Sequence, residues 1–221
     1  MASEVLLLFL RYPEAGRVKT RLIPALGAAG AAALYERMAG EIARRVAGLR
    51  RPGLRRMALV EPAEQAVVVR EWLGDRFAVA PQVEGDLGVR LTAAFAAAFA
   101  AGAERVVAIG SDCLDLTTEL LGEAFDALGR VDAVAGPALD GGYYLIALRR
   151  PIPAAFAAIP WSTPDTLTVT LDRLQGAGAS LYLLPPLRDL DTAEDLDALL
   201  PRWGALLQAR REPAPCRGGV A

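Results

Sequence analysis

A chain of 221 residues, 53% of them apolar, with a net charge of −2, is a globular protein long enough to bury one sizeable core. It contains no histidine, which excludes Ser-His-Asp and Cys-His catalysis, imidazole zinc sites and histidine general bases. The near-balanced charge gives no overall attraction to nucleic acid or to an anionic membrane, so any anion site must be local.

In chain order, the apolar run VLLLFL (5–10) predicts a first strand. Glu4 precedes it and Arg11 ends it, and six residues are too few for a signal peptide or a membrane span, so a cytoplasmic location is expected. A helix is expected over about 28–49, then strand RMALV (56–60) and helix 62–73, strand FAVAP (77–81) and helix 89–101, strand RVVAIG (105–110) and helix 117–128. DAVAGP (132–137) and GYYLIAL (142–148) are separated by too few residues for a helical crossover, so the second is read as an antiparallel strand. A helix near 163–176, strand SLYLL (180–184) and a last helix around 193–207 complete the pattern. The alternation predicts a single α/β domain over 1–207, a three-layer α/β/α arrangement with a mostly parallel sheet and one antiparallel strand. Residues 208–221, rich in Pro, Gly and Arg, read as a flexible tail. Cys113 and Cys216 lie too far apart in character and sequence to predict a disulfide or a thiolate zinc site.

In open sheets of this kind ligands sit beyond the carboxyl ends of the strands, so the residues after each apolar run are the informative ones. After the first strand comes RYPEAGRVKTRL, in which Lys19 is the only lysine of the chain. Arg11, Gly16, Arg17, Lys19, Thr20 and Arg21 there form a candidate phosphate-binding loop ahead of a helix amino end. The plain alternative is a solvated basic loop; neither a P-loop nor a dinucleotide fingerprint is present. A flexible ammonium follows a migrating phosphate charge better than a planar guanidinium does.

IGSDCLDL places Asp112 just past a buried strand, where a carboxylate is well placed to hold Mg²⁺ or Mn²⁺ together with substrate phosphates. Asp115 or Thr117 there serves equally as a helix cap, and Cys113 as packing. PALDGGYYLI offers Asp140 as acceptor of a substrate hydroxyl, with Gly141 and Gly142 allowing close approach, although a hairpin turn explains the glycines by itself. RDLDTAEDL supplies Asp189 or Asp191 as a second metal ligand opposite Asp112, while helix capping accounts for Thr192, or Asp191, and for Glu194 and Asp195 in the first turn. Trp161-Ser162-Thr163-Pro164 reads as a helix start, with Ser162 or Thr163 as the cap and Trp161 either core or a pocket wall. Glu84, Asp86 and Arg90 form a candidate acceptor-side loop.

Taken together, FLRYPEAGRVKTRL, GDLGVRL, IGSDCLDL, GPALDGGYYLIAL, IPWST and LRDLDTAEDL resemble the nucleotide-diphospho-sugar transferase superfamily, the glycosyltransferase-A fold. They resemble most closely its DUF2064-type branch, associated with radical-SAM and selenium-domain proteins, and are similar to the guanylyltransferase of deazaflavin-cofactor synthesis. The resemblance implies that Arg11, Arg17, Lys19 and Arg21 hold nucleotide phosphates and that Asp112 and Asp191 hold the metal. Lys19, Asp112 and Asp140 are then the catalytic candidates, and Asp86, Asp140, Gly141, Gly142 and Trp161 the acceptor-binding ones. Leu114 stands where that branch usually has Pro, and no Asp-x-Asp follows the strand, so the donor type stays open.

Two reactions fit these residues. One is metal-dependent nucleotidyl transfer from a nucleoside triphosphate to a small phosphorylated or hydroxylated acceptor, with pyrophosphate leaving. The other is glycosyl transfer from a nucleotide-sugar; a third reading is a non-catalytic nucleotide-binding protein. The expected partners are a nucleotide and a small-molecule acceptor, not nucleic acid or membrane.

Overall fold

A computed structural model describes residues 3–208 of the chain. The tail expected over 208–221 lies outside these residues, except Gln208, which ends the last helix. Seven strands form one sheet: β1 (Glu4–Arg11), β2 (Arg55–Glu61), β3 (Ala78–Pro81), β4 (Arg105–Ile109), β5 (Ala133–Pro137), β6 (Tyr143–Leu148) and β7 (Leu181–Leu183). Six helices connect or follow them: α1 (Ile23–Gly48), α2 (Ala66–Leu73), α3 (Leu87–Ala100), α4 (Thr118–Ala127), α5 (Thr166–Gly176) and α6 (Ala193–Gln208). The spatial order is β3-β2-β1-β4-β6-β5-β7, and β6 runs antiparallel to both its neighbours while all other pairs are parallel. The three-layer fold with one antiparallel strand is therefore as expected from the alternation of elements.

β1 shows why the sheet is covered on both faces. Its side chains alternate sides along the pleat. Leu6, Leu8 and Leu10 join Ile42 of α1, Val69 of α2 and Phe125 of α4 in one core, whereas Val5 and Leu7 join Leu91 and Phe95 of α3 and Leu174 of α5 in another. Neither face has a polar alternative, and the continuous apolar run follows from that. A third cluster seats α6 on α1, through Leu199 and Leu207 against Leu34 and Met38.

Several helix starts differ from the sequence pattern; α2, expected from 62, begins at Ala66 after a short 3-10 turn over Ala63–Gln65. α1 begins at Ile23, but Gly27 (φ 70°, ψ 163°) interrupts its helical geometry, so the regular part starts where the pattern put it. α5 begins at Thr166, not near 163. Ser162 adopts a left-handed conformation (φ 62°), and the Thr163 hydroxyl donates to the Pro160 carbonyl at 2.8 Å, so these residues build a turn and Asp165 takes the cap position. Among the described residues no helix is long and apolar enough to cross a membrane.

Candidate active site

The carboxyl ends of β1, β4, β5 and β7 and the start of β6 meet on one edge, and three loops there bring the charged residues together. The first, after β1, is pinned by Val18 and Leu22, both buried. Between them Lys19 takes a left-handed conformation (φ 46°, ψ 45°), uncommon for a residue with a side chain and costing on the order of 1 kcal/mol. The two apolar anchors leave Lys19 no way to face solvent. Its side chain is 5% exposed, with Nζ 3.0 Å from Asp112 Oδ2 and 3.5 Å from Asp191 Oδ1.

The second loop follows β4. Ser111 is buried and its hydroxyl lies 2.7 Å from Tyr35 Oη, which also accepts the Arg11 amide at 2.9 Å. Arg45 donates to the carbonyls of Leu114 and Leu116, bracing the loop from α1. The third loop follows β7. Its Leu190 amide donates to the Asp112 carbonyl at 3.1 Å, which ties the two aspartate-bearing loops directly. Thr192 and Asp195 form a reciprocal capping box at the start of α6: Asp195 Oδ2 accepts the Thr192 amide (2.9 Å) and Thr192 Oγ1 accepts the Asp195 amide (3.3 Å). Capping thus uses Thr192 and Asp195 and leaves Asp189 and Asp191 free to face the cleft. Asp115 instead anchors α6, accepting Trp203 Nε1 at 2.9 Å and pairing with Arg202.

Two adjoining clefts open on this edge. One, of about 580 Å³, is lined by Asp112, Asp140, Asp189, Asp191, Tyr143 and Trp161 among others; the second, of about 450 Å³, by Arg11, Lys19, Tyr35, Glu61, Gln82 and Arg90 among others. Asp112, Asp191, Trp161 and Gly110 border both. The cations Arg11, Lys19 and Arg90 line the second cleft together with Glu61, Asp86 and the shared Asp112 and Asp191, whereas Arg21 is the one cation of the first; Lys19 stands at the seam.

The electrostatics follow from that crowding. Burial opposes the charge on Lys19, but Asp112, Asp191 and Asp189 outweigh it, and the ammonium is held above the ordinary lysine value. Burial, then the charges of Asp112 and Asp140, push the Asp189 carboxyl up to about 8, with Lys19 pulling the other way. Asp189 Oδ1 is buried without a hydrogen-bond partner. The folded chain therefore keeps a proton on Asp189 that the unfolded chain, near 3.8, has released. The stability so contributed is full below about pH 4 and is lost as pH rises towards about 8. Asp189→Asn is expected to melt several degrees above the wild type at pH 8, with the two curves converging near pH 4; parallel curves across that window contradict the assignment.

The remaining sequence candidates divide. Arg21 reaches Asp191 at 2.7 Å and lines the carboxylate cleft. Arg17 does not reach either cleft: it is exposed and pairs with Glu14, because Gly16 (φ 84°) turns the chain there. Gly16 and Thr20 shape the loop without lining either cleft. Asp86, expected on the acceptor side, borders the cation cleft and caps α3 by accepting the Val89 amide at 2.9 Å. Asp140 Oδ1 accepts the Gly142 amide at 2.9 Å, and both residues line the carboxylate cleft. Gly141 (φ 91°) passes so close to Pro164 that an added Cβ would collide with its backbone carbonyl. Gly141→Ala is expected to destabilise the fold by about 2–4 kcal/mol in urea unfolding; a change near zero would refute the close approach.

Tyr35, Ser111, Gln82 and the pairing of Arg90 with Glu61 (2.6 Å) were not legible as site residues, although Glu61, as the last residue of β2, sits where the strand-end rule points. Gln82 is locked between the carbonyls of Leu10 and Leu59 and Arg90.

Residues 45–163 match the family described as uncharacterised proteins conserved in bacteria, DUF2064. The chain belongs to the DUF2064 family. No curated protein matches the sequence. The same fold is seen in a protein of Desulfovibrio desulfuricans G20, provisionally described as a nucleotide-diphospho-sugar transferase, which is 34% identical over 94% of this chain and 98% of that one, with a TM-score of 0.83. Two more distant structures share the fold. Rv0371c of Mycobacterium tuberculosis H37Rv, in complex with manganese, is 17% identical over 91% of this chain and 100% of its own, with a TM-score of 0.56. The inositol-1-phosphate CTP transferase of T. maritima is 14% identical over 97% and 98%, with a TM-score of 0.54. This DUF2064 chain thus has the nucleotide-diphospho-sugar transferase fold that its sequence motifs resembled.

Proposed function

We propose that the chain is a metal-dependent transferase with a nucleotide donor, and that it transfers a nucleotidyl group from a nucleoside triphosphate to a small acceptor with release of pyrophosphate. The observation that carries the reading is the seam between the clefts, where the buried ammonium of Lys19 lies within 3.5 Å of carboxylates from two distant loops. The donor's phosphates belong on the cation side, with Arg11 and Lys19 facing them, and the acceptor beside Asp140.

A divalent cation fits the seam. Asp112 and Asp191 are hard oxygen donors, and beside them the buried Oδ1 of Asp189 has no hydrogen-bond partner. Among the described residues no cluster of three or more His, Cys, Asp or Glu side chains forms a ready cage. Two carboxylates completed by substrate phosphates is the mode Mg²⁺ commonly uses. Asp112 and Asp191 would hold the ion, and its chemistry there is neutralisation of charge on the leaving phosphates. Lys19 exchanges a carboxylate oxygen for a phosphate oxygen as charge develops, and Asp140 accepts the proton of the attacking hydroxyl. Manganese in Rv0371c and CTP use by the T. maritima transferase support the same reading.

The description of the Desulfovibrio protein favours a second reading, glycosyl transfer from a nucleotide-sugar. A calorimetric titration with nucleoside triphosphates and nucleotide-sugars, each with Mg²⁺ or Mn²⁺, tests donor binding. Pyrophosphate release with pooled acceptors supports nucleotidyl transfer, and free nucleoside diphosphate supports glycosyl transfer. Metal-independent nucleotide binding without turnover reduces the chain to a binding protein, and no nucleotide binding at all overturns every version.

A further inference from the structure

The acceptor side of the proposed reaction carries more information than its lining first suggests. Its charged side chains are Asp112, Asp140, Asp189, Asp191 and Arg21. Arg21 is the one cation, and it is already bonded to Asp191 at 2.7 Å. Arg11, Lys19 and Arg90 all line the other cleft. The backbone amides at the start of α5 give no substitute. The loop before α5 and the first turn of that helix border the acceptor cleft, and a helix amino end is the usual place for a phosphate. Here the amides are taken: Asp165 N donates to Thr163 Oγ1 (3.3 Å), Thr166 N to the Thr163 carbonyl (3.2 Å) and Leu167 N to the Gly141 carbonyl (2.9 Å). Asp165 at the cap adds a further negative charge beside them.

What the cleft does offer is an aromatic and aliphatic wall. Trp161 and Tyr143 meet edge to face, with ring centroids 6.4 Å apart, and Phe9, Leu87 and Leu91 extend the same surface. Gly88 makes room for Trp161: an added Cβ would lie 3.1 Å from the indole nitrogen and 2.5 Å from the Phe156 carbonyl. An apolar ring wall facing carboxylates suits a ligand that puts C–H faces on aromatics and donates hydroxyl hydrogens to acidic oxygens. With Arg21 committed to Asp191, the cleft has no uncommitted cation for a second phosphate or carboxylate, and Asp140 beside the wall repels one.

We infer that the acceptor is a neutral polyhydroxylated ring, such as a sugar or cyclitol without a phosphate or carboxylate, bound between Trp161 and Asp140. This rests on the proposed donor–acceptor division of the clefts and narrows it. It also separates this chain from a fold relative whose name gives its substrate as a phosphate ester.

The test uses the full chain with saturating nucleotide and Mg²⁺, and matched pairs as probes: myo-inositol and inositol 1-phosphate, glucose and glucose 6-phosphate. Binding is read by calorimetry or saturation-transfer NMR. The neutral member of at least one pair is expected to bind at least tenfold more tightly than its phosphate ester, with ring protons saturated most strongly. Trp161→Ala and Asp140→Asn, checked for folding by circular dichroism, should each weaken that binding at least tenfold. Equal or tighter binding of the phosphate esters, or failure of both neutral rings to bind while nucleotide does, overturns the inference and leaves the donor reading intact. Failure of nucleotide to bind overturns the donor reading itself.

Discussion

Asp112→Asn is expected to lower turnover by roughly a thousandfold while leaving the fold in place, an effect of the size seen when one electrostatic contact to a developing charge is removed. Asparagine keeps the side-chain volume, and the Asp112 carbonyl still receives the Leu190 amide, so the tie between the second and third loops survives. What is lost is a formal charge at the seam of the two clefts, where it faces Lys19 at 3.0 Å. The consequence should appear in metal dependence above all. Nucleotide titrations with and without Mg²⁺ should nearly coincide for the variant and differ for the wild type. An asparagine variant with undiminished turnover at saturating metal would remove Asp112 from the chemistry.

Lys19→Met should cost the protein both activity and stability. Its ammonium is buried between two carboxylates that are themselves about 40% exposed. Removing one partner of a buried pair costs about 3–5 kcal/mol, and solvent access to Asp112 and Asp191 reduces this to about 1–3 kcal/mol. Turnover should fall by roughly a hundredfold or more, since the cation proposed to meet the leaving phosphates is gone. Lys19→Arg tests whether charge alone suffices. A guanidinium is broader and planar and cannot set one compact donor between Asp112 and Asp191 as the ammonium does, so arginine should recover little of the activity. Full activity of the arginine variant would show that the shape of the ammonium is irrelevant. That would weaken the reason for its place in a chain otherwise built with arginine.

How much of this was readable beforehand depends on how local the cause was. β1 and β4 announced themselves because both faces of each are buried, and the antiparallel β6 because five residues, Ala138 to Gly142, cannot house a helix. Lys19, Asp112, Asp140 and Asp191, which line the two clefts, were singled out as candidates by the rule that ligands gather beyond strand ends, which needs only the order of elements. The choice between Arg17 and Arg21 was not available, since a single turn at Gly16 sends one outward and leaves the other beside Asp191. Tyr35 lies within α1 with no motif around it, and its bond to Ser111 depends on how α1 lies against the loop after β4. Asp189 was an open alternative to Asp191. Its burial comes from neighbours far away in sequence, and so does the absence of a partner for its oxygen.

The position of Lys19 also bears on how this protein is made before it meets any ligand. An ammonium supplied by the chain already answers Asp112 and Asp191, so folding need not wait for a mineral ion. Dialysis against a chelator should leave the thermal transition where it was, unlike domains whose shape is created by their metal. Under the proposed metal-dependent reading, newly synthesised copies mature at any ambient level of the ion, and its supply governs only when they work.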